Sequence, residues 1–185
     1  ERASPLAKPG VDAQNGDLIQ AVNGQPISDI GQLYQALRNQ LNKQVLLELK
    51  RGKRLHKTVV TPISSGEANR LQYLDWVNHN RKLVEQANPD FGYLHIYAMG
   101  GNDIAEFARE FYANFDKKGL IIDVRRNRGG NIDSWLIEKL MRKAWAFWQN
   151  TRGEAYTNMQ AAFRGHLAVL ADQYTYSDGE TFTAA

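Results

Sequence analysis

The sequence contains no cysteine. Disulfide staples, thiolate metal sites and a cysteine nucleophile are therefore excluded. Histidine is scarce, with four residues in the chain: His56, His79, His95 and His166. None forms the short helical pair that sets two rings on one metal, so no metal centre is expected, and no motif implies a cofactor. No apolar run approaches the roughly 18 residues needed to cross a bilayer, so no membrane span is expected in this segment. No signal-like stretch opens the sequence. A surplus of one charge is missing too: 23 Lys and Arg stand against 20 Asp and Glu, a net of +3. So small an excess leaves no electrostatic footprint for nucleic acid, and no nucleic-acid partner is expected. What is present is ordinary globular composition, 43% hydrophobic and 23% charged over 185 residues, enough for one large domain or two small ones.

The pattern divides near residues 62–68. Before that point Leu18 to Val22 reads as a strand and Asn23-Gly24 as a tight turn. Asp29 is placed to cap a helix, with Gln32 completing a capping box, and Leu33, Leu37 and Leu41 then share one helical face. Gln44 to Leu49 and Leu55 to Val60 are strand-like around a charged turn. The polar stretch from Thr61 to Asn69 predicts a linker. The second half predicts a helix from Asn69 to Ala87 and a strand from Phe91 to Tyr97. Ile104, Phe107, Ala108, Phe111 and Phe115 mark an amphipathic helix, followed by a nearly all-apolar strand from Leu120 to Val124. Another helix is expected over about 132–148, carrying Trp135, Trp145, Phe147 and Trp148 mostly towards the core, and then a strand from Leu167 to Ala171. Alternating strands and helices predict crossovers and a mainly parallel sheet.

Three loops follow the apolar strands of this second half, at 97–101, 125–130 and 172–179. On open α/β sheets ligands collect at the carboxyl ends of strands, so these loops are expected to converge. In the second loop Gly129-Gly130 precedes a helix and can expose backbone amides to a phosphate, a carboxylate or a developing oxyanion. Its spacing matches neither the P-loop nor the dinucleotide fingerprint, and a plain turn is the bland alternative. In the third loop Ser177 lies beyond an apolar strand, where α/β hydrolytic folds place nucleophiles, although the sequence is not a GxSxG elbow. The alternative is a helix cap with Glu180 as reciprocal partner.

A nucleophilic serine needs a base. His56 lies in the charged hairpin and reads as solvated, His79 as an exposed helical residue and His95 as a satisfied core histidine. His166 opens the strand leading towards Ser177; a five-residue strand spans about 16 Å, which argues against a direct pair. No histidine is a convincing base.

At this point the motifs resemble those of the S41 family of serine peptidases, nearest its tricorn-like branch. SPLAKPGVDAQNGDLIQAVNGQPI is similar to the interior of a PDZ domain. RLQYLDWVNHNRKLVEQANPDFGYLHIYAMG is similar to the start of the catalytic core, GLIIDVRRNRGGNIDSWLIEKL to its glycine corner and AFRGHLAVLADQYTYSDGETF to its nucleophile segment. The resemblance implies a partial PDZ domain over 1–62 and the N-terminal part of an S41 core, of ClpP/crotonase-like α/β type, over 63–185. It implies peptide-bond hydrolysis through a serine acyl-enzyme with no cofactor. Ser177 would be the nucleophile, and the amides of Asp178 and of Gly129 or Gly130 the oxyanion hole, with Gly129 slightly favoured.

The chain departs from the family pattern where the base should be. Tricorn-like enzymes take a histidine from a domain before the PDZ segment, and the processing peptidases take a lysine well after the serine. Neither has a counterpart here, nor do the first PDZ strand and its carboxylate-binding loop. The expectation is therefore a fragment lacking its general base and inactive alone. Its expected partners are a peptide or unfolded polypeptide substrate, domains of the same protein that supply the base, and a second copy in a homo-oligomer. The alternative is a non-catalytic peptide-binding or scaffold module on a peptidase-like fold. The resemblance favours an exported or periplasmic location over a cytoplasmic one.

Overall fold

A computed structural model describes residues 4–185. The first three residues of the predicted PDZ segment lie outside the described residues. The chain forms two compact units, residues 1–76 and 77–185, and the division falls inside one long helix rather than in a loop.

The first unit is an antiparallel sheet with one helix. Strands β1 (Leu18–Val22), β2 (Gln25–Pro26), β3 (Val45–Arg51) and β4 (Arg54–Val60) run in the order β2-β1-β3-β4. The β1–β2 turn is Asn23-Gly24, both at positive φ as a two-residue hairpin requires. Strand β3 alternates Val45, Leu47 and Leu49 into the core, where Val22 and Val60 meet them. Helix α1 (Ile30–Leu37) packs Leu33 and Leu37 against this cluster. It is shorter than its leucine spacing predicts: Leu41 lies beyond it and is exposed, because the chain turns through Asn39 at φ +60°. Asp29 caps the helix by accepting the Gln32 amide at 2.9 Å, as expected, but the Gln32 side chain reaches the Ser28 amide and hydroxyl instead of closing the box on Asp29.

His56 is not solvated. Its side chain is 7% exposed, and Nε2 bonds the Asp12 carbonyl oxygen at 2.9 Å. It sits beside the Arg51–Asp17 pair, whose two guanidinium bonds of 2.8 Å bring the Asp17 pKa down to about 2. Asp12 and Asp17, from the loop before β1, pair with the arginines of this hairpin.

The predicted linker is shorter than its composition suggests, because helix α2 already begins at Ser65 and runs to Ala87. Ser64 and Glu67 cap its start reciprocally, the Glu67 carboxylate accepting from the Ser64 amide at 2.8 Å and the Ser64 hydroxyl accepting from the Glu67 amide at 3.2 Å.

The second unit is built on a parallel sheet in the order β5-β6-β9: β5 (Phe91–His95), β6 (Gly119–Asp123) and β9 (His166–Leu170). Helix α3 (Ile104–Tyr112) crosses from β5 to β6 and buries Phe107 and Phe111, stacked at 5.6 Å. With Leu94, Ile96, Met99, Leu120, Ile122, Val124, Leu136 and Phe182 they form one core. Strand β6 is central and buried, which explains its apolar run from Leu120 to Ile122. Strand β9 is equally apolar but lies at the sheet edge, with Leu167, Val169 and Leu170 between 36% and 44% exposed.

The helix expected over 132–148 is a mixed segment. Helix α4 covers only Asp133–Leu140, and β7 (Ala146–Trp148) then pairs antiparallel with β8 (Tyr156–Asn158). Trp135 alone of the four aromatics packs on the core; Trp145, Phe147 and Trp148 are at least half exposed. The last helix, α5 (Asp178–Ala184), buries Phe182. Among the described residues, no helix is long and apolar enough to cross a membrane, and no cluster of acids and histidines could hold a metal.

Candidate active site

The three loops do converge. In both ladders of the parallel sheet Asp123 ends the register, paired with His95 on one side and Leu170 on the other, so the loops leave from one end. The first two are laced by backbone bonds: Arg128 N–H to Tyr97 oxygen at 3.0 Å, Met99 N–H to Gly129 oxygen at 2.8 Å and Asn131 N–H to Met99 oxygen at 2.8 Å. The third is stitched to the second by the Tyr176 amide on the Asn127 carbonyl oxygen at 3.1 Å and the Thr175 hydroxyl on that of Val124 at 2.9 Å.

Gly129 and Gly130 are required here for lack of a side chain. A Cβ on Gly130 would fall 1.9 Å from the Met99 carbonyl oxygen. One on Gly129 would fall 2.7 Å from Ser177 Cβ and 3.3 Å from its Oγ, and Gly129 is also at φ +75°. The glycine corner thus threads between the Met99 loop and Ser177. Ser177 itself adopts φ +53°, ψ −119°, a conformation that costs a β-carbon residue on the order of 1–3 kcal/mol and is tolerated where surrounding structure enforces it. It is an exposed elbow between the β9 loop and α5, reached without the GxSxG pattern. The Ser177 hydroxyl makes no cap hydrogen bond, whereas Glu180 does accept the Ser177 amide at 2.8 Å.

The Asp178 carboxylate is directed at the start of α4. Its Oδ2 accepts the amides of Ile132 and Asp133 at 2.9 and 3.2 Å, groups that a helix start leaves unpaired. Thr181 donates to Asp133 at 2.7 Å, and that bond with those from Ser134 holds the Asp133 carboxyl below its usual range. The starts of α4 and α5 are therefore clamped together just after the glycine corner and just after Ser177.

Two further residues stand out that sequence reasoning did not single out. Asn127 is 1% exposed; its Nδ2 donates to the Ile96 carbonyl oxygen and its Oδ1 accepts the Gly129 amide, both at 2.7 Å. Asp172 accepts the Arg126 and Tyr174 amides at 3.0 Å each. Burial alone would raise its pKa; those amides and the Thr175 hydroxyl outweigh it and hold it low. A polar residue beside a glycine pair was the one signal that could have marked Asn127.

Beneath the loops lies a buried charge. Asp123 is fully buried, accepts Tyr93 Oη at 2.7 Å and pairs with Arg125 through Nη2 at 2.6 Å and Nε at 3.0 Å. Burial would raise its pKa, but the Arg125 and Tyr93 bonds overcome that and lower it. His95 is buried, as expected, and its Nε2 donates to the Arg125 carbonyl oxygen at 2.9 Å. Burial pushes its pKa down. His166 pairs with Gly119 at the opposite end of the sheet from the loops, and His79 is exposed on α2. Beside Ser177, Arg126, Asn127, Arg128, Tyr174 and Tyr176 line an open cleft of about 590 Å³.

Two family descriptions match the chain: peptidase family S41 over residues 90–185, and the tricorn protease PDZ domain over residues 1–65. The chain is 36% identical to a tricorn-like protease C-terminal subunit of Sulfurisphaera tokodaii, over 97% of this chain and 20% of that protein. It is 34% identical to tricorn protease homolog 1 of Streptomyces coelicolor, over 98% of this chain and 17% of that protein. It also superposes on the crystal structure of the tricorn protease with a TM-score of 0.78 at 28% identity, covering 97% of this chain and 17% of that one. The chain thus spans a fifth or less of the length of these relatives.

Proposed function

The chain belongs to peptidase family S41, with a tricorn-type PDZ segment ahead of the peptidase segment, and from that premise we propose that Ser177 is the nucleophile of a serine peptidase. The observation that carries this reading is the exposed Ser177 on a strained elbow with the side-chain-free Gly129 against it. The parallel unit is read as part of a ClpP/crotonase-like core, and the antiparallel unit as the PDZ segment that presents an extended peptide as an added strand.

In this mechanism Ser177 Oγ forms a bond to the peptide carbonyl carbon while its proton passes to a general base. Collapse of the tetrahedral species breaks the C–N bond, and the base returns the proton to the leaving amine. Water then hydrolyses the acyl-enzyme and restores the hydroxyl. The oxyanion would be held by the Asp178 amide, which has no acceptor within its own helix. For the second donor, Gly130 is the better reading than Gly129. The Gly129 amide already donates to Asn127, whereas the Gly130 amide makes no hydrogen bond among the described residues. The Asp178 carboxylate is occupied at α4 and is not the base. Nor are the parallel unit's histidines read as the base: His95 uses its Nε2 proton on Arg125, His166 is at the far end of the sheet and His79 is on α2. We infer that a residue outside these 185 supplies the base.

Serine-selective fluorophosphonate labelling of the full-length protein tests the assignment. Label is expected on Ser177, and Ser177→Ala should abolish peptide cleavage. Cleavage that survives Ser177→Ala defeats the proposal, and an unlabelled Ser177 in a protein that binds peptides without cutting them favours the scaffold alternative. The 185-residue chain alone is expected to show little or no turnover.

A further inference from the structure

We propose that the cleft beside Ser177 is a carboxylate-recognising subsite, which seats an acidic group of the peptide next to the bond that Ser177 attacks. This rests on the reading of Ser177 as a peptidase nucleophile. Arg126, Arg128, Tyr174 and Tyr176 all line the cleft, and Tyr176 directly precedes Ser177.

The two guanidinium groups are free for an anion. Arg51, Arg81, Arg109, Arg125 and Arg142 all reach carboxylates, whereas no ion pair engages the side chain of Arg126 or Arg128 among the described residues. Asp172 feels the charge of Arg126, but its hydrogen bonds go to the Arg126 and Tyr174 amides and the Thr175 hydroxyl rather than to a guanidinium. Arg128 lies 4.9 Å from the Tyr97 ring centroid, a contact that fixes the guanidinium plane without neutralising its charge.

Arg126 adds an independent argument. It sits at φ +61°, where glycine or asparagine is at ease and an arginine is strained. Its amide is pinned there by Asp172 at 3.0 Å, so the backbone conformation is imposed by the loop. An arginine standing at a position that suits glycine points to a use for its side chain. Exposed Tyr174 and Tyr176, 61% and 68% accessible, give the cleft aromatic surface with hydroxyl donors. Two guanidinium forks outside any ion pair, in one cleft with two phenols, suit a planar carboxylate, which takes bidentate bonds from arginine. Such a carboxylate comes from a Glu or Asp side chain or from the peptide's own C-terminus.

The test is binding to the 185-residue chain, read by fluorescence anisotropy with three labelled peptides of one length. One carries an internal Glu and an amidated terminus, one an internal Gln and a free terminal carboxylate, and one an internal Gln and an amidated terminus. At least one carboxylate-bearing peptide should bind about fivefold to tenfold tighter than the neutral one, with the advantage shrinking as salt is raised. Which of the two gains identifies the source of the carboxylate. Arg126→Gly should remove most of that advantage while thermal stability stays equal or rises, because glycine relieves the positive φ; Arg128→Gln should remove it too. Equal affinity for all three peptides, or an advantage that survives both variants, overturns the subsite. A carboxylate preference in a protein whose Ser177 fails to label would sink the nucleophile and leave the subsite standing.

Discussion

In the antiparallel unit Gly24 and Gly52 turn hairpins at φ +79° and +61°, and a Cβ at either would meet nothing within 4 Å. In the parallel unit Gly130 sits where a Cβ would fall 1.9 Å from a backbone oxygen, and Gly129 where one would strike Ser177. Glycine supplies conformational freedom in the first unit and empty space in the second. The charged groups divide in a similar way. Arg51, Asp12 and Asp17 tie the β3–β4 hairpin to the loop before β1, whereas Asp123, Arg125 and Tyr93 hold the floor from which the glycine corner leaves. An antiparallel sheet closes through local turns, and its polar contacts secure those turns. A parallel sheet sends its connections to one end, where distant loops must approach closely enough to share a site.

The largest expected effect breaks that approach. Gly130→Ala should destabilise the parallel unit by about 3 kcal/mol or more, because the neighbour is backbone and cannot rotate aside. Chemical denaturation of the 185-residue chain reads it, and a loss below 1 kcal/mol would mean that the corner is looser than the structure has it.

A middle effect is expected at the floor. Asp123→Asn keeps the shape but leaves the Arg125 charge without its partner, a cost of about 2 kcal/mol near neutral pH. The folded pKa of Asp123 is depressed, so its contribution is complete above the unfolded value of roughly 3.9 and is lost as pH falls through the folded value. The gap in melting temperature between wild type and Asp123→Asn should therefore be constant from neutral pH down to about 5 and close in stronger acid. A gap that does not change with pH would remove the charge from the explanation.

The smallest effect is expected in the open turn. Gly52→Ala meets no neighbour and pays only for its positive φ, partly offset by a stiffer unfolded chain, so the net loss should stay below about 1 kcal/mol. Should Gly52→Ala cost as much as Gly130→Ala, the contrast between freedom and space fails.

Much of this architecture is visible in the residue order. Alternation in β3, the Asn23-Gly24 turn, the apolar run of β6 and the face of α3 each follow from a local pattern. The errors have different causes. Apolar residues after Leu140 read as more helix, yet they form an exposed β7–β8 hairpin. Leu41 continued a helical spacing that a left-handed Asn39 had already ended. The charged hairpin hid a packed His56, because Asp12 and Asp17 come from a different part of the sequence.

The sequence by itself determined the type of most elements, the glycine corner and the serine motif that carries the family resemblance, because each is written in residues close together in the chain. Tertiary structure decided which apolar strand lies at the centre and which at the edge, since β6 and β9 have the same kind of sequence and differ only in their neighbours. It also decided that Gly129 lies against Ser177, that Asn127 ties the Ile96 carbonyl to the Gly129 amide, and that Asp178 turns its carboxylate on α4. Those contacts join loops some 30 to 50 residues apart, and only the shared register of three parallel strands brings their ends together.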